Sequence, residues 1–302
     1  MTASSYRAWG VALALVGVVA FAVRPILIKL AYAHVTDPVT LIALRMVFSL
    51  PFFLATVLWM RLRTDASAPV ALTRRDWRAV LFLGFLGYYL ASFLDFLGLQ
   101  YISAGLGRLV LFLYPTITVL LSALFLGKYV SRRDVIALVI SYAGLALVLS
   151  QGFAGESRNL MLGALLVFGS ALSYATYLVS SSQVVMRIGS IRFTAYATSV
   201  ACLLCIVQFL LLRPLSALVL PLQVYALAIA MAVGCTVLPV FVTSEALRRI
   251  GANQVAIIGA AGPVTTIFLG WLGLEESMTP LQIAGAVLVL LGVLLVTIKP
   301  KK

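Results

Sequence analysis

The chain has 302 residues, of which 63% are hydrophobic and only 10% charged, with a mean hydropathy of +1.12. Too few polar side chains are present to cover a soluble surface, so a soluble globular protein is excluded. A formal charge of +13 could suit a polyanion partner, but the placement of the basic residues decides against it.

Runs of about 20 apolar residues cross a bilayer as helices. The sequence predicts ten, at roughly 9–28, 39–60, 78–98, 102–126, 134–151, 160–182, 193–212, 222–245, 252–272 and 280–298. The connectors are short and leave no room for a separate domain, so the chain is expected to be one all-α integral membrane unit. With the N-terminus placed in the cytoplasm, 16 of the 22 Lys and Arg fall on the cytoplasmic side. Three fall outside (Lys29, Arg158 and Arg213), and three, Arg24, Arg45 and Arg108, lie within spans. This bias follows the positive-inside rule and places both termini in the cytoplasm, for a multi-pass protein of the inner (plasma) membrane. The basic charge reports topology rather than a nucleic-acid partner. Arg7, the apolar run after it and Ala20-Phe21-Ala22 loosely resemble a signal peptide, but the repeat described below requires the first span to be kept.

Spans one to four each carry one charge in the outer half: Arg24, Arg45, Asp95 and Arg108. A charge at a helix centre costs about 2.5–3.5 kcal/mol on insertion scales, so each needs a reason. Arg24 and Arg108 lie near helix ends, where snorkelling to the headgroups or a structural ion pair competes with a functional role. Arg45 lies deeper. The expectation is an outer gate in which Asp95 pairs with one arginine of the cluster, while an unpaired arginine receives a substrate carboxylate through bidentate hydrogen bonds.

On the third span Tyr88, Ser92 and Asp95 follow an i, i+4, i+7 pattern and so share one helical face. The stretch Arg108–Leu121 of the fourth span joins a charge to Pro115 inside an apolar run. The sixth span repeats the hydroxyl and aromatic stripe with Ser170, Ser173, Tyr174, Tyr177 and Ser181. Small hydroxylated residues at this spacing also serve helix packing, but the tyrosines favour a cavity for an amphipathic organic molecule. Tyr88, Ser92, Ser173, Tyr174 and Tyr177 are therefore expected to contact the substrate. Cys202, Cys205 and Cys235 all fall in spans, with no histidine or second ligand pair nearby, and read as packing residues; neither metal nor cofactor is expected. In the eighth span Thr236, Pro239 and Thr243 take the same spacing, and Asn253 and Gln254 open the ninth, which carries Pro263. Glu245 has Arg248 and Arg249 three and four residues on, the spacing of a helical ion pair rather than of a free proton carrier. His34 is a surface residue, and Trp9, Trp59, Trp77 and Trp271 sit at span ends as interfacial anchors.

Sliding the chain by 148 residues places Pro115 on Pro263, Gly144 on Gly292 and Thr118 on Thr266 without a gap. Each half, 1–152 and 153–302, would hold five spans, and an odd number inverts the second half in the membrane. Inverted repeats with a site between them are a transporter architecture.

Leu99-Gln-Tyr-Ile-Ser-Ala-Gly, Leu126-Gly-Lys-Tyr-Val-Ser and Gly144-Leu-Ala-Leu-Val-Leu in the first half resemble the repeat of EamA-type transporters of the drug/metabolite transporter (DMT) superfamily. The second half carries the fuller copy: Glu245-Ala-Leu-Arg-Arg-Ile-Gly-Ala, Pro263, Leu272-Gly-Leu-Glu-Glu and Gly285 through Gly292. Arg45 in LIALRMVF also resembles the arginine that family often places early in its second span. Lys128 departs from the pattern, standing opposite Glu276 where the family usually has glutamate in both halves. The resemblance implies ten helices in two inverted five-helix repeats, with spans 1–4 and 6–9 around a central cavity and spans 5 and 10 supporting it. It implies transport of amino acids, other small metabolites or drugs, and the aromatic and broad-range amino-acid exporters are the branch expected here.

An enzyme is excluded as the working reading, because the single histidine lies outside the spans and Asp95 is the one deeply placed aspartate. A channel would need a filter-like loop or acidic rings, which the sequence lacks. Within transporters, proton-coupled efflux of lipophilic cations is the alternative, although the first span carries Arg24 and no acid; a nucleoside or sugar phosphate is a further one. The partners expected are a small-molecule substrate and the lipid bilayer, with a monomer as the simplest assembly.

Overall fold

The computed structural model describes residues 3–62, 72–127, 129–150 and 157–297. These residues form helices and connecting turns, with no strand among them. In chain order the helices are α1 (Ala3–Tyr32), α2 (Pro38–Leu62), α3 (Arg74–Gly98), α4 (Ala104–Leu126) and α5 (Arg132–Ser150). They continue with α6 (Ser157–Ile188), α7 (Ser190–Leu212), α8 (Leu222–Ile250, with helical hydrogen bonding running on to Gly259), α9 (Ala261–Leu274) and α10 (Pro280–Thr297). Eight, α1 to α8, are long and apolar enough to cross a membrane; α9 and α10 are shorter apolar helices. The chain is a multi-pass, all-α membrane protein.

Where the helices break follows from the proline ring. Proline lacks an N–H, so the carbonyl four residues earlier loses its helical donor. Regular helix ends at Leu111, four residues before Pro115, and again at Gly259, four before Pro263. Each half also carries a wider π turn at a similar place in its third span, Phe85–Leu90 in α3 and Ala230–Val237 in α8, and the two overlap under the same shift. In α8 the turn precedes Pro239, and Thr236 Oγ1 donates to the Met231 carbonyl at 2.9 Å. In α3 there is no proline; instead Ser173 Oγ donates to the Leu86 carbonyl at 2.8 Å and Ser170 Oγ to that of Ala91 at 2.7 Å. A side chain inserted into the backbone ladder is a known cause of such a bulge.

Close helix contacts run through glycines. On α1, Gly10 meets Ile250 and Gly17 meets Thr243, whereas Val18 meets Gly262 and Ile26 meets Gly270. The first pair of contacts runs antiparallel to α1 and the second parallel, so the chain reverses between Ile250 and Gly262. Gly144, Gly285 and Gly292 bring α5 and α10 together at backbone distance, with Gly285 against the Gly144 carbonyl.

Polar ties gather at the two ends. At one, Arg187 pairs with Asp76, whose carboxylate also closes a capping box with Thr73, and Glu245 accepts from Arg248 and Arg249. Arg249 stands 4.8 Å over the Tyr6 ring. The bland reading of Glu245 as half of a helical ion pair is the one the geometry supports. At the opposite end Arg213 holds Asp37 through two bonds of 2.9 and 2.8 Å, joining the start of α2 to the end of α7. Burial pushes the Asp37 carboxyl up, but hydrogen bonds from Arg213 and Thr40 outweigh it and hold it below the usual carboxylate range. Trp9, Trp59 and Trp271 are more than half exposed at helix ends, as interfacial anchors are.

Candidate functional site between α1, α3, α4 and α6

The four charges predicted in the outer halves of the first spans converge. Arg24 Nη2 donates to Asp95 Oδ2 at 2.8 Å, tying α1 to α3, and both side chains are largely buried. Arg45 is 1% exposed, and its guanidinium lies 4.8 Å over the ring of Phe96, the neighbour of Asp95. Arg108 is half-buried and reaches across to α9, within 3.4 Å of where a side chain on Gly262 would begin. Its Nε is buried and has no hydrogen-bond partner among the described residues. The sequence did not say which arginine would take Asp95; the structure gives it to Arg24.

A tyrosine cluster extends from this charged group. Tyr174 and Tyr177, one turn apart on α6, stack at 5.6 Å. Tyr114 of α4 meets Tyr174 edge-on at 5.1 Å, and Tyr88 of α3 meets Tyr177 edge-on at 5.2 Å with the two hydroxyls 3.1 Å apart. Phe193 of α7 stacks on Tyr177 at 6.1 Å and closes the far side. Gly87 in the π turn of α3 makes the approach possible: a Cβ there would stand 2.3 Å from Tyr177 Cγ. Tyr174 lies within electrostatic reach of Arg24 and Arg108.

Three expectations need restating. Ser92 is half-buried and shares no hydrogen bond with the tyrosines. The π turn at Phe85–Leu90 explains why: one extra residue in a turn rotates the following face by roughly 100°, so the i, i+4 stripe from Tyr88 does not hold. Ser173 spends its hydroxyl on the Leu86 carbonyl and shapes α3 from outside the ring cluster. Arg45 is sealed in the core of α2, α3, α7 and α8 instead of lining an opening. Pro115 is half-buried and Pro239 and Pro263 are buried, each at a helix irregularity. Cys202, Cys205 and Cys235 are buried packing residues.

Two contacts escaped the sequence reading. Tyr114 sits beside Pro115 and was hidden by it. Glu276, in the turn between α9 and α10, accepts from the backbone N–H of Ala104 at 2.9 Å and of Gly105 at 3.3 Å, capping α4. A cleft of about 490 Å³ lies elsewhere, between α2, α7 and α8, bounded by Phe53, Trp59, Phe241 and Arg248. None of Tyr88, Tyr114, Tyr174 and Tyr177 lines it.

Residues 8–150 and 161–298 match the EamA-like transporter family. The chain belongs to that family. Uncharacterized transporter YcbK of Bacillus subtilis (strain 168) is 32% identical over 277 residues, 90% of this chain and 87% of that one. Uncharacterized transporter YyaM of the same organism is 26% identical over 224 residues, 73% of each chain. A crystal structure shares the fold with a TM-score of 0.65 at 18% identity, covering 95% of this chain and 96% of its own. As an EamA-like transporter the chain has these charged and aromatic groups collected inside a helical membrane protein, where polar residues are costly.

Proposed function

We propose that this EamA-like transporter exports amino acids, aromatic ones included, across the inner membrane by alternating access. The observation that carries the reading is the adjacency of the tyrosine cluster to Arg108. In this reading Tyr88, Tyr114, Tyr174 and Tyr177, whose rings pack on one another here, part during the cycle to take an aromatic ring between them, where edge and face contacts each add about 0.5–1.5 kcal/mol beyond area. The carboxylate of the same molecule fits the Arg108 guanidinium, whose Nε lacks an acceptor. Two inverted halves, 1–152 and 153–302, would rock about this site, with both termini in the cytoplasm and the monomer as the working unit. The helix breaks before Pro115 and Pro263 and the overlapping π turns support such a division, because similar irregularities recur at corresponding sequence positions in the two halves. A lipophilic cation would meet Arg24 and Arg108 there and be repelled.

The test is counterflow into proteoliposomes loaded with unlabelled substrate, with labelled tryptophan, tyrosine, alanine, uridine and tetraphenylphosphonium supplied outside. Accumulation of the aromatic amino acids is the expected result. Accumulation of the cation or the nucleoside in their place would overturn the substrate assignment while leaving transport intact.

A further inference from the structure

Six buried side-chain nitrogens and oxygens among the described residues lack a hydrogen-bond partner, and four belong to Arg24, Arg45 and Arg108. Three guanidiniums share one carboxylate, Asp95, which Arg24 already holds. A buried, unpaired charge costs several kcal/mol, so this excess asks what neutralises it.

Arg45 gives the most specific answer. Its orphan atoms are Nε and Nη2, which present their N–H groups in parallel along one edge of the guanidinium. That edge is the fork that grips a carboxylate or a single halide. One face of the same group is covered by Phe96 at 4.8 Å, which leaves this edge without a partner. The neighbours in this core are apolar or weakly polar: Met46, Cys202, Cys205 and Met231, with the Cys202 thiol turned to Met46 Sδ at 3.6 Å. No carboxylate among the described residues bonds to the fork.

The geometry points to a small-anion site at the Arg45 fork, taking one dehydrated monovalent anion, either a halide or a carboxylate. Bound there, the anion halves the excess positive charge beside Asp95 and stabilises the packing of α2 against α3 and α7. This site stands apart from the ring cluster and holds whether or not amino acids are the cargo.

Purified protein in detergent, at constant ionic strength made up with methanesulfonate, is titrated separately with chloride and with acetate while thermal unfolding is followed. Expected is a saturable rise in Tm, about 5 °C at 100-fold over Kd, that Arg45→Gln abolishes and Arg108→Gln retains. A rise with chloride alone identifies the occupant as a halide; a rise with acetate alone identifies it as a carboxylate. Arg45→Lys, a point charge without the fork, should bind at least tenfold more weakly. Radiolabelled chloride and acetate binding to the unaltered protein is counted as well, a readout independent of how the variants fold, with one site per chain expected for at least one of them. No saturable binding of either anion, or a Tm response that survives Arg45→Gln, would overturn the site.

Discussion

Glu276 joins the turn before α10 to the first turn of α4 through a carboxylate on two backbone N–H groups. Removing it should loosen the end of the molecule where Arg24 and Asp95 meet. Hydrogen bonds to a charged group contribute about 1.5–3 kcal/mol, and the half-exposed position of Glu276 favours the lower part of that range. If the contact exists only in the state with this end closed, Glu276→Ala costs that state about 2 kcal/mol, which raises the open fraction roughly 30-fold. Glu276→Gln keeps an acceptor and loses only the charge at the helix start, about 0.3–1 kcal/mol or a two- to fivefold change. The reporter is Ile267→Cys, because Ile267 packs over Gly105 directly beneath the contact. The three native cysteines are buried and give a quiet background. The rate of labelling by a membrane-impermeant maleimide should rise in the order unaltered, Gln, Ala. Equal rates in all three folded proteins would show that Glu276 caps α4 without holding anything shut.

Gly87→Ala should displace the Tyr177 ring, since the new Cβ meets Cγ at 2.3 Å and Cδ2 at 2.4 Å; overpacking of about 1–3 kcal/mol should raise KM for tryptophan counterflow about tenfold or more. Gly285→Ala drives a Cβ to 2.6 Å from the Gly144 carbonyl and should lower Tm by several degrees while leaving the KM of the folded fraction unchanged, because α5 and α10 stand outside the ring cluster. The Asp37 carboxyl is held low in the folded protein, so its contribution to stability is complete above its ordinary value near 3.9 and is lost as pH falls through the lowered one. Unfolding curves at pH 7 and at pH 3 should therefore differ more for the unaltered protein than for Arg213→Gln.

Eight of the ten expected spans were legible as membrane-length helices because lipid leaves few options: about 20 apolar residues and an internally satisfied backbone. The breaks before Pro115 and Pro263 were legible for the same reason, since a missing N–H has a fixed consequence four residues back. The pairing of Asp95 was half legible. One carboxylate among three arginines must find a partner, but which one depends on how α1, α2 and α4 pack around α3. The rotation of the tyrosines was less accessible. Tyr88 and Ser92 share a face in a regular helix, and the π turn that separates them is set by hydroxyls arriving from α6, far away in sequence, as Ser170 on Ala91, 79 residues apart, shows. Glu276 was marked only by its mismatch with Lys128, because its partners are backbone N–H groups, and those carry no side-chain signature.

Tryptophan counterflow in proteoliposomes, compared between the unaltered protein and Arg108→Gln, tests most directly whether the ring cluster and Arg108 together form the transport site. Saturable tryptophan accumulation that falls at least tenfold in Arg108→Gln, with the variant folded to the same extent, is the predicted result. Tryptophan uptake no higher than in empty vesicles, or uptake identical in the two proteins, would contradict it.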